Sequence, residues 1–149
     1  LSKNGNSEKF TFPVPKVKEL NVSYSGCKTA FINFVEKEKN KNSKFIDENL
    51  NDLCSSIQLT LIKIITQKIE MAVQKTNISS VVIGGGVSAN SEIRNFLRKK
   101  EKNNGWSIYL PSIEFTTDNA AMVGVAGYYK FLNKKFSDLS SVANPRMSF

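Results

Sequence analysis

The sequence predicts a mixed α/β fold, and two stretches carry that prediction. Over residues 47–75, Leu50, Leu53, Ile57, Leu61, Ile64, Ile65, Ile69 and Ala72 recur at three- and four-residue steps. That is the period of a helix with an apolar stripe. Val81, Val82 and Ile83 then run straight into Gly84, Gly85 and Gly86, with Ser88, Asn90 and Ser91 close behind. A β-branched run ending in glycine and followed by helix-capping residues reads as a buried strand that turns tightly into a helix.

The remaining elements follow from local chemistry. Residues 1–9 are polar and contain Asn4-Gly5-Asn6, so they read as a loop. Phe10-Thr11-Phe12 precedes Pro13 and Pro15 and is therefore extended. Residues 21–25 read as β-like, closing at Gly26. A helix is expected over 27–39, with Ala30, Phe31, Phe34 and Val35 on its apolar side, followed by a charged, Asn-rich connection over 37–44. The helix over 47–75, about 40 Å long at 1.5 Å per residue, is expected to be a main packing element against a central strand over 81–83.

Beyond the glycines a helix should run to about Lys102, with Ile93, Phe96 and Leu97 inward and Arg94, Arg98, Lys99 and Lys100 toward water. Asn104-Gly105 ends it, and residues 106–110 form a second short strand stopped by Pro111. Asp118 then opens a helix of small residues. Ala120, Gly124 and Gly127 share one of its sides, so another backbone could come close. Residues 138–149 read as an irregular tail.

Composition narrows the class. With 149 residues and 40% hydrophobic content, the chain is long enough to bury a core. Lys and Arg outnumber Asp and Glu by 21 to 13, a net charge of +8. Such a balance suits a polyanion such as RNA, or is simply a solvated lysine-rich surface. The two cysteines, Cys27 and Cys54, lack the spacing of a disulfide framework or zinc site and read as reduced thiols of a cytoplasmic protein. No apolar run reaches membrane-spanning length.

Two motifs carry chemistry. Gly84-x-Gly86-x-x-Ala89 has the spacing of a dinucleotide fingerprint between strand and helix. The fingerprint also wants an acid at the end of the next strand, whereas that strand ends at Tyr109-Leu110-Pro111 and the nearest acid is Glu114. A turn serving packing alone is the plainer alternative. In Thr116-Thr117-Asp118-Asn119, Asp118 is read either as the N-cap of the helix behind it or as a carboxylate ligand for a divalent metal. One Asp is not a metal site, and the chain has no histidine.

Three ordered segments carry a family resemblance. Ser23-Tyr24-Ser25-Gly26-Cys27-Lys28-Thr29-Ala30 is similar to a family motif S-F-S-G-L-K-T-A, with Tyr24 and Cys27 as mild departures. Gly85-Gly86-Val87-Ser88-Ala89-Asn90-Ser91 and Thr117-Asp118-Asn119-Ala120-Ala121-Met122 match two more. Together they resemble the C-terminal half of the bacterial TsaD (glycoprotease) family, the catalytic subunit of tRNA threonylcarbamoyladenosine synthesis.

The resemblance implies an actin/Hsp70-like (ASKHA, RNase H-like) lobe, incomplete here, with residues 1–149 forming the C-terminal part and the N-terminal lobe missing. It implies transfer of a threonylcarbamoyl group from threonylcarbamoyl-AMP to N6 of the adenosine adjacent to the anticodon. Asn90 would contact the nucleotide, the backbone of Gly84, Gly85 and Gly86 would line its pocket, and Asp118 would ligate one divalent metal, iron or zinc. That metal would polarise and orient the activated carbamoyl-phosphate group. Lys28 would be structural or touch tRNA.

The family's H-x-x-x-H metal pair and its phosphate loop have no counterpart here, which places them upstream of Leu1 and leaves the isolated chain inactive. Expected partners are tRNA, a TsaB-like paralogue and a TsaE-like ATPase, with no membrane. The competing readings are a Rossmann-type NAD(P)-binding domain and a non-catalytic scaffold or RNA-binding paralogue.

Overall fold

The computed structural model describes residues 1–142. Four α-helices and two strands follow in the order α1 (Ser25–Lys41), α2 (Phe45–Thr76), β1 (Ser80–Val82), α3 (Ser91–Asn104), β2 (Ser107–Tyr109) and α4 (Ala120–Leu132). Short 3-10 turns lie at Ser2–Asn4, Gly86–Ala89 and Ile113–Phe115. The chain forms two compact units: Leu1–Ile83 with Asn90–Leu110, and Gly84–Ala89 with the segment from Pro111 onward. Of the tail read as irregular, residues 143–149 lie outside the described residues.

In the first unit, β1 and β2 pair in parallel with α3 as the crossover, Val81 opposite Ile108. The ladder is extended by Ser107 N–H donating to the Ser79 carbonyl at 3.0 Å and Ile83 N–H to the Tyr109 carbonyl at 3.1 Å. The expected α/β class holds, and the long helix packs on the sheet as expected. Ile62, Ile65 and Ile69 of α2 meet Ile93, Leu97, Ile108, Val81 and Ile83 in one cluster.

The single stripe expected on α2 is in fact two faces. Leu53, Ile57 and Ile64 belong to a separate cluster with Phe12 and Cys27, against which Phe10, Phe31, Phe34 and Phe45 pack. At about 100° per residue the two isoleucine-rich faces of α2 point roughly 130° apart. The aromatic rings meet edge to face or tilted, at centroid distances from 5.2 Å (Phe12–Phe31) to 6.0 Å (Phe34–Phe45), the arrangement favoured by ring quadrupoles. Burial in this cluster pushes the Cys27 thiol pKa up, and both Cys27 and Cys54 are free thiols.

Residues 1–9, expected as a plain loop, form together with Phe10 a strap bonded along α2. Ser2 Oγ donates to Gln58 Oε1 (3.0 Å), Asn6 N–H to Asp52 Oδ1 (2.8 Å) and Lys9 Nζ to Asp52 Oδ2 (2.6 Å). The Ser56 hydroxyl, buried, accepts from Phe10 N–H and donates to the Asn6 carbonyl, both at 3.3 Å. Gly5 comes so close that an added Cβ would stand 2.0 Å from the Asn51 carbonyl oxygen.

Two other expectations need correction. Residues 21–24 form no strand: the two-stranded sheet offers them no partner, and Tyr24 already has helical angles ahead of α1. Gly26 therefore lies in the first turn of α1 rather than closing a strand. Lys100 does not simply face water. Its ammonium pairs with Glu70 at 2.5 Å and stands over the Phe96 and Trp106 rings at 5.5 and 5.8 Å, tying α3 to α2 and to the entry of β2.

The strap yields two expected outcomes. Gly5→Ala should cost about 1–3 kcal/mol in urea unfolding, because the new methyl group meets main chain rather than a movable side chain. The Lys9 ammonium, and after it the Asn6 N–H, hold the Asp52 carboxyl below the usual Asp range. A lowered folded pKa contributes stability above the unfolded value near pH 4, and that stability is lost as pH falls through the folded value. Asp52→Asn should flatten this part of the acid unfolding curve, and an unchanged curve would show that the strap contributes nothing there.

Candidate functional site

Ile83 leaves β1 directly into the glycine turn. Gly85 has φ of +78°, a left-handed conformation that strains any residue with a Cβ. Its carbonyl accepts from Ser88 N–H at 2.9 Å, closing the 3-10 turn Gly86–Ala89 around the buried Ser88. Gly84 and Gly85 face open space, and a Cβ on Gly86 would lie 3.9 Å from the Thr117 methyl, an ordinary contact. Protein geometry thus requires glycine at Gly85 alone. At Gly84 and Gly86 the missing side chains leave the backbone approachable, which is what a nucleotide pocket needs.

That proximity of Gly86 to Thr117 places the second motif beside the first within the second unit. Thr116 is buried and pinned, its hydroxyl donating to the Ile113 carbonyl at 2.8 Å. Asn119 does two jobs. Its Nδ2 donates to the Thr117 carbonyl (2.8 Å), and its Oδ1 accepts from Met122 N–H (2.9 Å), capping α4.

The N-cap is therefore Asn119, and the reading of Asp118 as the cap is corrected. Asp118 sits one residue before the cap, exposed, with no hydrogen-bond or ion-pair partner among the described residues. The sequence hid this because Asn and Asp cap about equally well, and which of two adjacent residues does so depends on where helical φ and ψ begin.

Asn90 belongs to the first unit, where it is the N-cap of α3. Its Oδ1 accepts from Glu92 N–H at 2.9 Å and Ile93 N–H at 3.2 Å. The side-chain carbonyl is thus engaged, and the amide NH2 is the part left for a ligand. Lys28 is exposed in the first turn of α1. On the side that Ala120, Gly124 and Gly127 share, nothing described lies within 4 Å of a Cβ built on either glycine, so the space is open.

The metal reading meets a limit of donor chemistry. Among the described residues no three His, Cys, Asp or Glu side chains gather where they could hold an ion. Protein zinc and iron sites take three or four ligands, and one exposed carboxylate does not make such a site. The residues present do not by themselves fit a metal centre.

Comparison with known proteins then assigns the family. The family model described as TsaD, tRNA N6-adenosine threonylcarbamoyltransferase, matches residues 1–125, a span that contains all three motifs. The chain belongs to the TsaD family. A relative from Christiangramia forsetii named tRNA N6-adenosine threonylcarbamoyltransferase is 48% identical over 148 residues, 99% of this chain and 44% of the relative. Relatives of the same name from Riemerella anatipestifer and Cytophaga hutchinsonii are 43% and 41% identical, over 97% and 98% of this chain and 42% and 43% of their own lengths. The chain thus spans less than half the length of these relatives. Family membership sets aside the dinucleotide-binding alternative, for which the glycine spacing was the main support. No helix among the described residues is long and apolar enough to cross a membrane.

The turn geometry separates two glycine substitutions. Gly85→Ala should cost roughly 1–3 kcal/mol through backbone strain alone. Gly84→Ala meets no atom of the protein and should leave the melting temperature near that of the parent. If Gly84 backbone lines a nucleotide pocket, the same change should still weaken binding of a nucleotide such as ATP. Equal stability losses for the two variants would contradict the geometry of the turn.

Proposed function

We propose that this chain is the C-terminal part of a TsaD-type transferase with the actin/Hsp70-like (ASKHA) architecture, contributing one side of a site completed by sequence it does not contain. In the proposed reaction, the N6 amine of the tRNA adenosine next to the anticodon attacks the carbamoyl carbonyl carbon of threonylcarbamoyl-AMP. The carbon–oxygen bond to the phosphate breaks, AMP leaves with the bonding electrons, and the amine gives up a proton. The observation that carries this reading is the family match over residues 1–125, with the glycine turn and the Asp118 loop inside it.

Each residue has a role within what its geometry permits. The open backbone at Gly84 to Gly86 accommodates the nucleotide, and the left-handed Gly85 keeps the turn tight. Asn90 offers its amide NH2 as donor to the nucleotide while its carbonyl caps α3. Asp118, next to the turn fixed by the Asn119–Thr117 bond, would supply one carboxylate toward a divalent ion, iron or zinc, which would need further ligands beyond the described residues. The positive net charge supports tRNA as the large substrate. A TsaB-like paralogue, a TsaE-like ATPase and a separate enzyme making threonylcarbamoyl-AMP complete the proposed cytoplasmic system.

The tests are made in a full-length enzyme carrying this half. Asn90→Ser keeps a good cap but removes the amide donor, so nucleotide affinity should fall by about 1–3 kcal/mol with little change in melting temperature. Unchanged affinity by calorimetry would remove Asn90 from the site. Asp118→Asn touches no cap, so stability should hold while metal content and tRNA modification collapse together. Full modification by that variant would refute the ligand role.

A further inference from the structure

One side of α2 and one side of α3 flank a gap. Ser55, Gln58, Leu59 and Ile62 recur at the i, i+3, i+4, i+7 steps of a single helix side. Glu92, Asn95, Phe96 and Lys99 repeat the same spacing on α3. All of them line a cleft of about 390 Å³, with the strap along a third side through Ser2, Lys3, Gly5 and Ser7. That size is within the range of small-molecule sites. The cleft lies entirely within the first unit.

Ser55 is the residue that packing does not explain. Of the five Ser and Thr residues of α2, Thr60, Thr66 and Thr76 bond back to carbonyls one turn earlier, and Ser56 is held by the strap. Ser55 is 7% exposed, and its hydroxyl has no hydrogen-bond partner among the described residues. A buried hydroxyl left unpaired is costly, so one that lines a cleft is placed to donate to an acceptor from outside.

Other donors surround it. The Gln58 side-chain carbonyl accepts from the Ser2 hydroxyl at 3.0 Å, which leaves its amide NH2. Lys3 and Lys99 have no ion-pair partner among the described residues. Glu92, the one carboxylate among the lining residues, accepts from Asn95 Nδ2 at 3.4 Å. Two ammoniums against one carboxylate leave the lining positive, and Leu59, Ile62 and Phe96 add an apolar floor. A nucleic-acid backbone wants an exposed row of cations and gains nothing from an apolar floor or a buried hydroxyl.

We propose that this cleft binds a small organic anion, its oxyanion head held by Ser55, Gln58, Lys3 and Lys99 and its short apolar body lying on Leu59, Ile62 and Phe96. The inference does not rest on the transfer reaction or on the glycine turn.

The test titrates a full-length enzyme carrying this half with phenyl phosphate and with phenylacetate, read by NMR of the Leu and Ile methyl groups. Saturable shifts at Leu59 and Ile62 are expected with either head group, and the tighter of the two tells a phosphate ester from a carboxylate. Benzyl alcohol, which keeps the ring and lacks the charge, should bind at least about tenfold more weakly. Ser55→Ala removes a hydroxyl without a partner and places a better helix former. Its melting temperature should hold or rise while anion affinity falls by about three- to tenfold. Lys99→Met should weaken both anions by a similar factor, and Glu92→Gln should tighten them about twofold. Gly84→Ala, a change in the glycine turn, should leave these affinities as they were, so the cleft and the proposed nucleotide pocket are read separately. No saturation by about 10 mM, benzyl alcohol binding as well as the anions, or Ser55→Ala lowering stability with affinity unchanged would each overturn the proposal. A cleft already filled by another part of the full-length enzyme gives the first of these results.

Discussion

Helix α2 is the constraint on which the rest of the first unit depends. Its 32 residues carry two apolar faces and a further side that includes the buried hydroxyl of Ser56, and each must be covered by a different part of the chain. The aromatic cluster from α1 and Phe10–Phe12 takes one face, and α3 with the two-stranded sheet takes the other. The strap supplies hydrogen bonds to Ser56 and Asp52 on that further side, and one to Gln58, which lies round the helix on the side of Ile62 and Ile65. A buried hydroxyl without partners would cost about 1–3 kcal/mol, so the strap satisfies a requirement that the helix itself creates.

Both motifs solve the same local problem with the same residue. Each must stop an irregular turn and start a helix at once, and each does so with an asparagine. Asn90 caps α3 and Asn119 caps α4, so in both the side-chain carbonyl is committed to backbone N–H groups and the amide is the remaining polar group. At Asn119 that amide is already bonded to the Thr117 carbonyl, which fixes the turn around Asp118. At Asn90 no such bond is made among the described residues, so its amide NH2 stays available. Asn119→Ser should therefore keep the cap and loosen only the Thr117–Asp118 turn, visible as faster amide exchange in that turn at an unchanged melting temperature.

The legible parts of the fold were those written in local chemistry. The isoleucines of α2, the β-branched run into glycine and the Gly105 stop are one-dimensional signals, and the elements appear within a few residues of the places they indicate. The strap was not legible, because Asn6 and Lys9 find Asp52 more than forty residues away and nothing in a polar loop announces a distant partner. The β-like pattern of residues 21–25 misled for the complementary reason. Alternating side chains make a strand only when a neighbour accepts its hydrogen bonds, and the sheet provides none. Of the site, the glycine turn and its residues were legible. The cap at Asn119 was not, since it turns on a boundary one residue wide.

What remains uncovered has a common physical character. Val82 is 75% exposed and Tyr109 59%, so one face of the two-stranded sheet lies open, and among the described residues each strand has an edge without a partner. Two paired strands are seldom stable without further packing, and here α2 and α3 supply it on one face only. An open sheet face with open strand edges is surface that further packing could cover. The glycine turn leaves β1 directly and the Asp118 loop leads directly into α4, so each motif lies where a regular element ends or begins.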